Sequence, residues 1–399
     1  MPTSFSPCGQ PPSSSPRGSP PPPALAAKLI ASHFSGPVYT LDLTLANATS
    51  GTLKIAGQVD NGCGRIPAWL TVDKATNSVY CFDESWYGSG VLAQFAADDQ
   101  AVLTPKAQAP TLGNSVFGAL YGGDDDKGFV VTAEYSPSTI TTYKLPLSAS
   151  SKPVQKLSFT MPKPGPRPDR QDKPHPHAAF LDPTKEFMVV PDLGADVTRI
   201  FKINKATGEL TACPTAASLS GDGPRHGEFL ETKGGLRYYS LNEVASSVGM
   251  YNVTYAGEGG CLTLDLVQTL STFGDRKGQT TEKAAELRIA GDFLYASNRN
   301  DQKFGKELDS LAIFKLDTAG EGTMSFMELT NSHGFFPRPF QINKAGDLVA
   351  IGGQTTANVA VVVRDAATGK LGPLVANINL PPRGTYMGED GLSAVLWYE

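Results

Sequence analysis

Residues 292–299 read DFLYASNR, a short and mostly apolar segment that ends in a charged residue. Six further segments of this kind recur, and successive segments begin about 50 to 60 residues apart. They are KLIASHF at 28–34, SVYCFDE at 78–84, GFVVTAEY at 128–135, FMVVPDL at 187–193, LRYYSLNE at 236–243 and DLVAIGG at 347–353. This spacing is typical of four-stranded blades with their loops. The seven segments therefore predict an all-β fold, a seven-bladed β-propeller.

The sequence around these segments extends the pattern. A further apolar strand follows each segment after a polar turn, as in VTRIFKI and VAVVVRD. Ala206-Thr-Gly208 and Ala367-Thr-Gly369 supply turn residues where hairpins need them. GLSAVLWYE at 391–399 has no blade of its own, so we expect it to close the ring by joining the first blade. The alternative architecture is a β-sandwich followed by a second domain.

The composition agrees with many short strands and turns. The chain contains 41 Gly and 31 Pro, which disfavour helices because an internal Gly costs about 1 kcal/mol and a Pro about 3. The net charge is −5, without a basic stripe or an apolar run of about 20 residues. We therefore expect a protein that binds neither nucleic acid nor a membrane, and we also predict a monomer.

PPSSSPRGSPPPP at 11–23 predicts a disordered tail over 1–24, followed by a propeller domain over 25–399.

The cysteine pattern bears on the compartment. The sequence has an odd number of cysteines at wide spacings, namely Cys8, Cys63, Cys81, Cys213 and Cys261. We interpret them as free, mostly buried thiols, and a Cys63–Cys81 disulfide is the alternative if the protein is exported. Glycosylation sequons begin at Asn47 and Asn252, but no export signal is recognisable. The sequence therefore predicts a cytoplasmic protein, with secretion as the alternative.

Two histidines open the fourth repeat, which reads HPHAAFLDPTKEFMVVPDLGADVTRIF. On a strand, His175 and His177 would lie on one face because side chains alternate. The chain has only three other histidines, and no carboxylate is spaced to complete a familiar metal site. We therefore expect no metal and no cofactor. We predict a catalytic role for His177 and a structural or substrate-binding role for His175.

Charged residues also end the segments of the fifth and sixth repeats. LNEVASSV contains Asn242 and Glu243, and ASNRN contains Asn298 and Arg299. We interpret both segments as innermost strands, so that equivalent positions on neighbouring blades face one channel. Glutamate is rarely buried without a partner, so the alternative is a structural ion pair between Glu243 and an arginine. We predict catalytic roles for Glu243 and Arg299 and substrate-binding roles for the two asparagines.

Three further polar residues complete the candidate site. GPRHGEF in the fifth repeat contains Arg225 and His226, and FFPRPF in the seventh places Arg338 at the position of Arg225. Guanidinium groups bind phosphate or carboxylate through two parallel hydrogen bonds. We predict a catalytic role for Arg225 and substrate-binding roles for His226 and Arg338.

These repeats resemble the lactonase family of seven-bladed propellers, which includes bacterial 6-phosphogluconolactonases and the fungal 3-carboxy-cis,cis-muconate lactonizing enzyme. The likeness covers about residues 28–399 and is densest in the segments quoted above and in PRPFQINKAGDLVAIGGQTTANVAVV. The resemblance implies a site made by the second histidine of HPH, the arginine of GPRH, the glutamate of LNE and the arginine of SNR. PRPF at 337–340, where bacterial members usually have PRHF or PRGF, and the insertion QKFGKELDS at 302–310 depart from the family.

The function implied is hydrolysis of a sugar lactone such as 6-phosphogluconolactone. Arg225 and Arg299 would hold the anionic parts of the substrate, and either His177 or Glu243 would activate water as the general base. A carboxymuconate cycloisomerase using the same residues is the first alternative. A propeller that binds a partner and catalyses no reaction is the second, because fold does not dictate function.

Overall fold

The strands form where the apolar segments predict them, around a common axis. The computed structural model describes residues 1–2, 26–86, 90–257 and 259–399. Within these residues the strands form seven antiparallel sheets, which are the seven predicted blades. Apart from residues 1–2, the tail predicted over 1–24 lies outside the described residues.

The first four blades follow the chain in order. Blade 1 begins with β1 (Ala26–His33), β2 (Val38–Asn47) and β3 (Ser50–Val59). Blade 2 contains β4 (Pro67–Asp73), β5 (Ser78–Asp83), β6 (Gly90–Ala97) and β7 (Leu103–Thr111). Blade 3 contains β8 (Ser115–Tyr121), β9 (Phe129–Glu134), β10 (Thr139–Lys144) and β11 (Pro153–Ser158). Blade 4 contains β12 (Phe180–Leu181), β13 (Phe187–Asp192), β14 (Val197–Ile203), β15 (Leu210–Ala212) and β16 (Ala216–Ala217).

The last three blades and the final strand complete the ring. Blade 5 contains β17 (Pro224–Thr232), β18 (Gly235–Asn242), β19 (Ser247–Tyr255) and β20 (Leu262–Ser271). Blade 6 contains β21 (Lys283–Ala290), β22 (Phe293–Arg299), β23 (Ser310–Leu316) and β24 (Met324–Asn331). Blade 7 contains β25 (Pro337–Ile342), β26 (Leu348–Gly353), β27 (Asn358–Arg364) and β28 (Leu371–Asn379). The final strand is β29 (Leu392–Trp397).

The chain ends close the ring as predicted. β29 pairs antiparallel with β1, which gives blade 1 the order β29-β1-β2-β3. The innermost strand of blade 1 thus comes from the carboxyl end of the chain, and its other three strands come from the start of the domain. This pairing covers the edge that β1 would otherwise expose.

The innermost strands differ from those that the sequence analysis chose. LRYYSLNE and DFLYASNR form β18 and β22, the second strands of their blades, and the innermost strands are β17 and β21. A second strand is covered on both faces by the neighbouring blades, so it is almost wholly buried and has the clearest apolar pattern. The innermost strand mixes apolar and charged residues, because its first residues lie at a polar channel.

The core is divided among the contacts between blades. Seven clusters of buried apolar side chains fill the seven spaces between adjacent blades, including the space between blades 7 and 1. β29 contributes to two of them, with Trp397 in the space towards blade 7 and Leu396 in the space towards blade 2. Each blade therefore depends on both neighbours for its burial.

Turn glycines connect neighbouring blades by hydrogen bonds. Gly208 and Gly369, in the two predicted Ala-Thr-Gly turns, have φ angles of 74° and 72°, which a residue without a Cβ adopts at no steric cost. The carbonyl oxygen of Gly208 accepts a hydrogen bond from Tyr121 Oη at 2.5 Å, and that of Gly369 accepts one from Tyr295 Oη at 2.6 Å. Both turns are confirmed.

The interpretation of the cysteines as free thiols is wrong for four of the five. Cys63 and Cys81 form a disulfide with a Cα–Cα distance of 5.7 Å, and Cys213 and Cys261 form a second at 5.8 Å. The second pair lies 48 residues apart in sequence, between the outer edges of blades 4 and 5, so spacing could not have indicated it. Cys8 lies outside the described residues.

The described residues contain no helix that is long and apolar enough to cross a membrane.

Candidate active site

Two sets of equivalent positions surround one end of the channel. The first set lies at the ends of the second strands of four blades. It contains Glu84 after β5, Tyr135 after β9, Glu243 after β18 and Arg299 at the end of β22. Because the blades are related by rotation about the axis, these side chains converge there.

The second set lies on the innermost strands, where the pairing with the next strand slips by a residue. The register shifts between Ser115 and Phe117 in β8, between Pro224 and His226 in β17, and after Pro337 in β25. Such a bulge leaves one residue out of the ladder and redirects its side chain. The residues at these places are Val116, Arg225 and Arg338, and His177 follows the isolated bridge made by Pro176.

Both sets line one cavity of about 220 Å³. The cavity contains five of the nine predicted site residues: His177, Arg225, Glu243, Arg299 and Arg338. The four residues that carried the catalytic prediction are therefore brought together, although they come from three blades. The remaining wall is made by Glu84, Trp86, Val116, Tyr135, Asp169, Arg170 and Glu389.

Glu243 lies at the centre of a cluster of guanidinium groups. Its Oε2 accepts a hydrogen bond from Arg225 Nε at 2.9 Å and lies 2.8 Å from Arg299 Nη2. Arg170 Nη2 lies 2.5 Å from Oε1, an ion-pair contact without hydrogen-bond alignment. Burial alone would raise the pKa of Glu243, but the three arginines outweigh it and hold the pKa well below its usual value. Glu243 is therefore ionised and a weak base.

Arg225 is also held by His226, which in turn contacts Glu286. Its Nη1 donates to the carbonyl oxygen of Ala285 and lies 3.1 Å from His226 Nε2. Because a guanidinium group only donates, Nε2 is the acceptor and Nδ1 carries the proton, which it donates to Glu286 at 2.9 Å. His226 is thus a neutral histidine that fixes the orientation of Arg225.

His177 presents a neutral imidazole to the cavity. Burial, Arg225 and His226 together hold the pKa of His177 well below 6.5, so its ring nitrogens include one unprotonated acceptor at neutral pH. Among the described residues, its buried Nδ1 has no hydrogen-bond partner. A buried polar atom without a partner is costly, and a bound molecule or water would remove that cost.

Arg338 lies on the opposite wall between two carboxyl groups. Its Nη1 donates to Glu389 Oε2 at 2.8 Å, and its Nη2 donates to Glu84 Oε2 at 3.2 Å. Glu389 comes from the loop before β29. Burial raises the pKa of Glu84 to about 7, with Arg338 opposing the rise and Glu389 adding to it.

The other four predicted residues do not line the cavity. His175 stacks on Tyr135 at 4.0 Å between ring centroids and bonds Asp172 at 2.7 Å. His226 lies beneath Arg225. Asn242 Nδ2 donates to Ser247, and the equivalent Asn298 donates to Ser310, both at 3.0 Å. These contacts favour positioning roles over direct substrate binding.

Several residues of the cavity were missed by the sequence analysis. A signal existed for Glu84 and Tyr135, because they end SVYCFDE and GFVVTAEY as Glu243 ends LRYYSLNE. Arg170 and Glu389 come from long loops, where no repeat pattern could have indicated them. Within the described residues, no group of three or more side chains is arranged to hold a metal ion.

The fold and the cavity together define a class of protein: a seven-bladed propeller with an arginine-rich cavity for a small molecule at one end of its channel. The chain belongs to the family described as lactonase, seven-bladed β-propeller, whose sequence model matches residues 28–386.

Individual relatives agree with this family. A protein of Arthroderma benhamiae named "Probable 6-phosphogluconolactonase" is 29% identical over 81% of this chain and 79% of its own length. The 6-phosphogluconolactonase of Bacillus subtilis is 26% identical over 86% of this chain and 92% of its own. The solved structure of a periplasmic gluconolactonase of Pseudomonas aeruginosa has the same fold, with a TM-score of 0.74 and 22% identity over 90% of this chain and 98% of that one.

Proposed function

We propose that this protein hydrolyses a sugar lactone that carries an anionic group, with 6-phosphogluconolactone as the leading candidate. The observation that carries the proposal is the cavity itself, where three guanidinium groups share one carboxylate beside a neutral imidazole. Membership of the lactonase family and the names of the relatives support the same reaction.

Arg170, Arg225 and Arg299 provide the binding and electrostatic part of the mechanism. With Glu243 they carry a net formal charge of +2, which favours an anionic substrate. Guanidinium groups bind phosphate through parallel N–H donors. A guanidinium beside the lactone carbonyl would also stabilise the negative charge that develops on its oxygen. In this mechanism Glu243 fixes the arginines and does not accept the proton.

His177 is the general base in the proposed mechanism. Its neutral ring accepts a proton from water as the water oxygen bonds to the lactone carbonyl carbon. The ring C–O bond then breaks, and the proton on His177 passes to the departing alkoxide oxygen, which yields the open hydroxy acid. A bound anion would offset the field of Arg225 and raise the pKa of His177 towards the range where proton transfer is efficient.

The test is lactone hydrolysis by the purified protein above the spontaneous rate. Arg299→Ala removes one donor of the cluster and should lower kcat/KM for 6-phosphogluconolactone by about 100-fold. The matched control is Arg276→Ala, because Arg276 is half-exposed, contacts Glu282 and lies outside the cavity. The proposal fails if the wild-type protein does not accelerate hydrolysis, or if the two variants are equally active.

We also infer that the chain matures in an oxidising compartment, the alternative to the predicted cytoplasmic location. Disulfides persist in secreted and periplasmic proteins and are rare in the cytosol. The two sequon asparagines, Asn47 and Asn252, are both exposed. In protein isolated from its own cells, the four paired cysteines should react with iodoacetamide only after reduction. Labelling of these cysteines without reduction would contradict the inference.

A further inference from the structure

The cavity has two walls of opposite electrostatic character. Blades 5 and 6 and the loop before blade 4 supply the three arginines around Glu243. Across the axis, blades 7 and 2 and the loop before β29 supply Arg338, Glu84 and Glu389. On the first wall three guanidinium groups surround the buried Glu243, and the exposed carboxylate of Asp169 pairs with Arg167. The second wall has two carboxyl groups for one guanidinium.

The second wall is unsuited to an anion. Both carboxyl groups already bond the same guanidinium, at 2.8 and 3.2 Å, so Arg338 has little positive field left to offer. The raised pKa of Glu84 agrees with this, because burial and the nearby Glu389 both disfavour a negative charge at this wall. A substrate carboxylate in this place would meet the charge of Glu389 and, above about pH 7, that of Glu84, and like-charge contacts cost several kcal/mol at interfaces.

The same wall suits neutral hydroxyl groups. Carboxylate oxygens accept strong, charge-assisted hydrogen bonds from hydroxyl donors. Trp86 lies two residues after Glu84, lines the cavity and is 41% exposed, so its indole offers an apolar face beside these acceptors. A carbon skeleton that carries hydroxyl groups matches both features.

We propose that Glu84 and Glu389 determine specificity: they select a polyhydroxylated lactone whose single anionic group lies at one end, and they exclude a lactone with a second carboxylate on their side. The substrate's anionic end contacts the three-arginine wall, and its hydroxyl groups donate to Glu84 and Glu389. The proposal rests on the lactone hydrolysis proposed above. It also separates that reaction from the cycloisomerase alternative, whose substrate carries several carboxylates and no hydroxyl groups.

The experiment compares two probes on four proteins. For 6-phosphogluconolactone the measured quantity is kcat/KM, and for carboxymuconolactone, which carries two carboxylates, it is the inhibition constant against that reaction. The proteins are the wild type, Glu389→Gln, Glu84→Gln and Glu209→Gln. Glu389 is 39% exposed, so its variant should fold even if the buried Glu84 does not tolerate substitution. Glu209 is the matched control, because it is exposed in the β14–β15 turn.

Each amide should weaken use of the polyol lactone and strengthen binding of the dicarboxylate. We express the preference for the polyol lactone as the ratio of kcat/KM for 6-phosphogluconolactone to the reciprocal of the inhibition constant of carboxymuconolactone. This ratio should fall by about tenfold or more, which corresponds to ~1.4 kcal/mol. Glu209→Gln should leave the ratio unchanged. An active wild type whose ratio is unaltered by Glu389→Gln and by any folded Glu84→Gln would overturn the specificity proposal and leave lactone hydrolysis standing. A wild type that hydrolyses no lactone would overturn both.

Discussion

Individual side chains of this protein have protonation states that depend on neighbours contributed by other blades. Glu243 and Glu84 are both buried glutamates at equivalent positions, yet the pKa of Glu243 is lowered and that of Glu84 is raised to about 7. Three guanidinium groups face the first, whereas the second shares one guanidinium with another carboxyl group. Opposite charge environments thus give one residue type two chemical roles.

The proposed base can be tested through its pH dependence. His177→Asn should lower kcat by about 10²- to 10⁴-fold, because asparagine cannot accept the proton. In the Glu84→Gln variant, which lacks the carboxyl group whose pKa is about 7, kcat/KM should be constant as the pH falls to 6.5 and should decline only below it, because the pKa of His177 lies well below that value. His333→Asn, outside the cavity, is the control. A decline in kcat/KM that begins above pH 6.5 in Glu84→Gln would exclude His177 as the base. Equal activity of His177→Asn and His333→Asn would also exclude it.

The neutral state of His226 predicts an acid-sensitive stability. Burial lowers the pKa of His226 to about 4, although Glu286 opposes the shift. Between 6.5 and about 4 the unfolded chain binds a proton that the folded chain does not. The free energy of unfolding therefore falls as the pH falls through this window, by about 1 kcal/mol per unit for this group. Denaturant titrations should show a smaller decline for His226→Asn, and equal slopes would contradict the neutral histidine.

At the scale of elements, bulged strands and cross-links shape the molecule. The bulges in the innermost strands turn residues such as Val116 and Arg225 out of the ladder towards the channel. The ladder between the second and third strands of each blade has no register shift. Regularly paired middle strands therefore support the irregular inner strands that carry the site.

The Cys213–Cys261 disulfide should be a major contributor to stability. It closes a segment with a sequence separation of 48 residues and joins the outer edges of blades 4 and 5. Replacement of both cysteines by serine should lower the free energy of unfolding by about 2–4 kcal/mol. Denaturant unfolding without reductant measures this loss. Addition of reductant to the wild type should lower its stability by at least as much, because reductant also opens Cys63–Cys81. Equal stability of the wild type and the serine variant without reductant would show that the Cys213–Cys261 cross-link is dispensable.

At the scale of the whole molecule, ring closure makes the blades interdependent. β29 fills spaces towards both neighbouring blades, and Trp397 Nε1 donates a hydrogen bond to the carbonyl oxygen of Gln341 in blade 7 at 3.0 Å. The last six-residue strand therefore joins the two ends of the ring in side-chain packing as well as in backbone pairing.

Trp397→Ala should destabilise the whole propeller. Truncation of a buried tryptophan typically costs about 3–5 kcal/mol, and here the cavity would open at the closing blade. Thermal or denaturant unfolding measures the loss, with Leu219→Ala as the control because Leu219 is 51% exposed. A tryptophan variant as stable as the control would mean that the ring does not depend on its closing strand.

Much of the fold could be predicted from the sequence because blade structure is local. Seven apolar segments, two Ala-Thr-Gly turns and a carboxyl-terminal strand without a blade determined the number of blades and the closure. The order of strands within a blade was predicted wrongly, since the most apolar strand is the most covered one and not the one beside the axis.

The candidate site, too, was predicted only in part from the sequence. His177, Arg225, Glu243 and Arg299 could be chosen from the sequence alone because their motifs recur at equivalent places in the repeats and match a known family. Only the tertiary structure decided that Arg170 completes the cation cluster, that Glu84 and Glu389 form the opposite wall, and that Cys213 pairs with Cys261. These contacts join loops and blades far apart in the chain, and repeat spacing contains no information about distances across the ring.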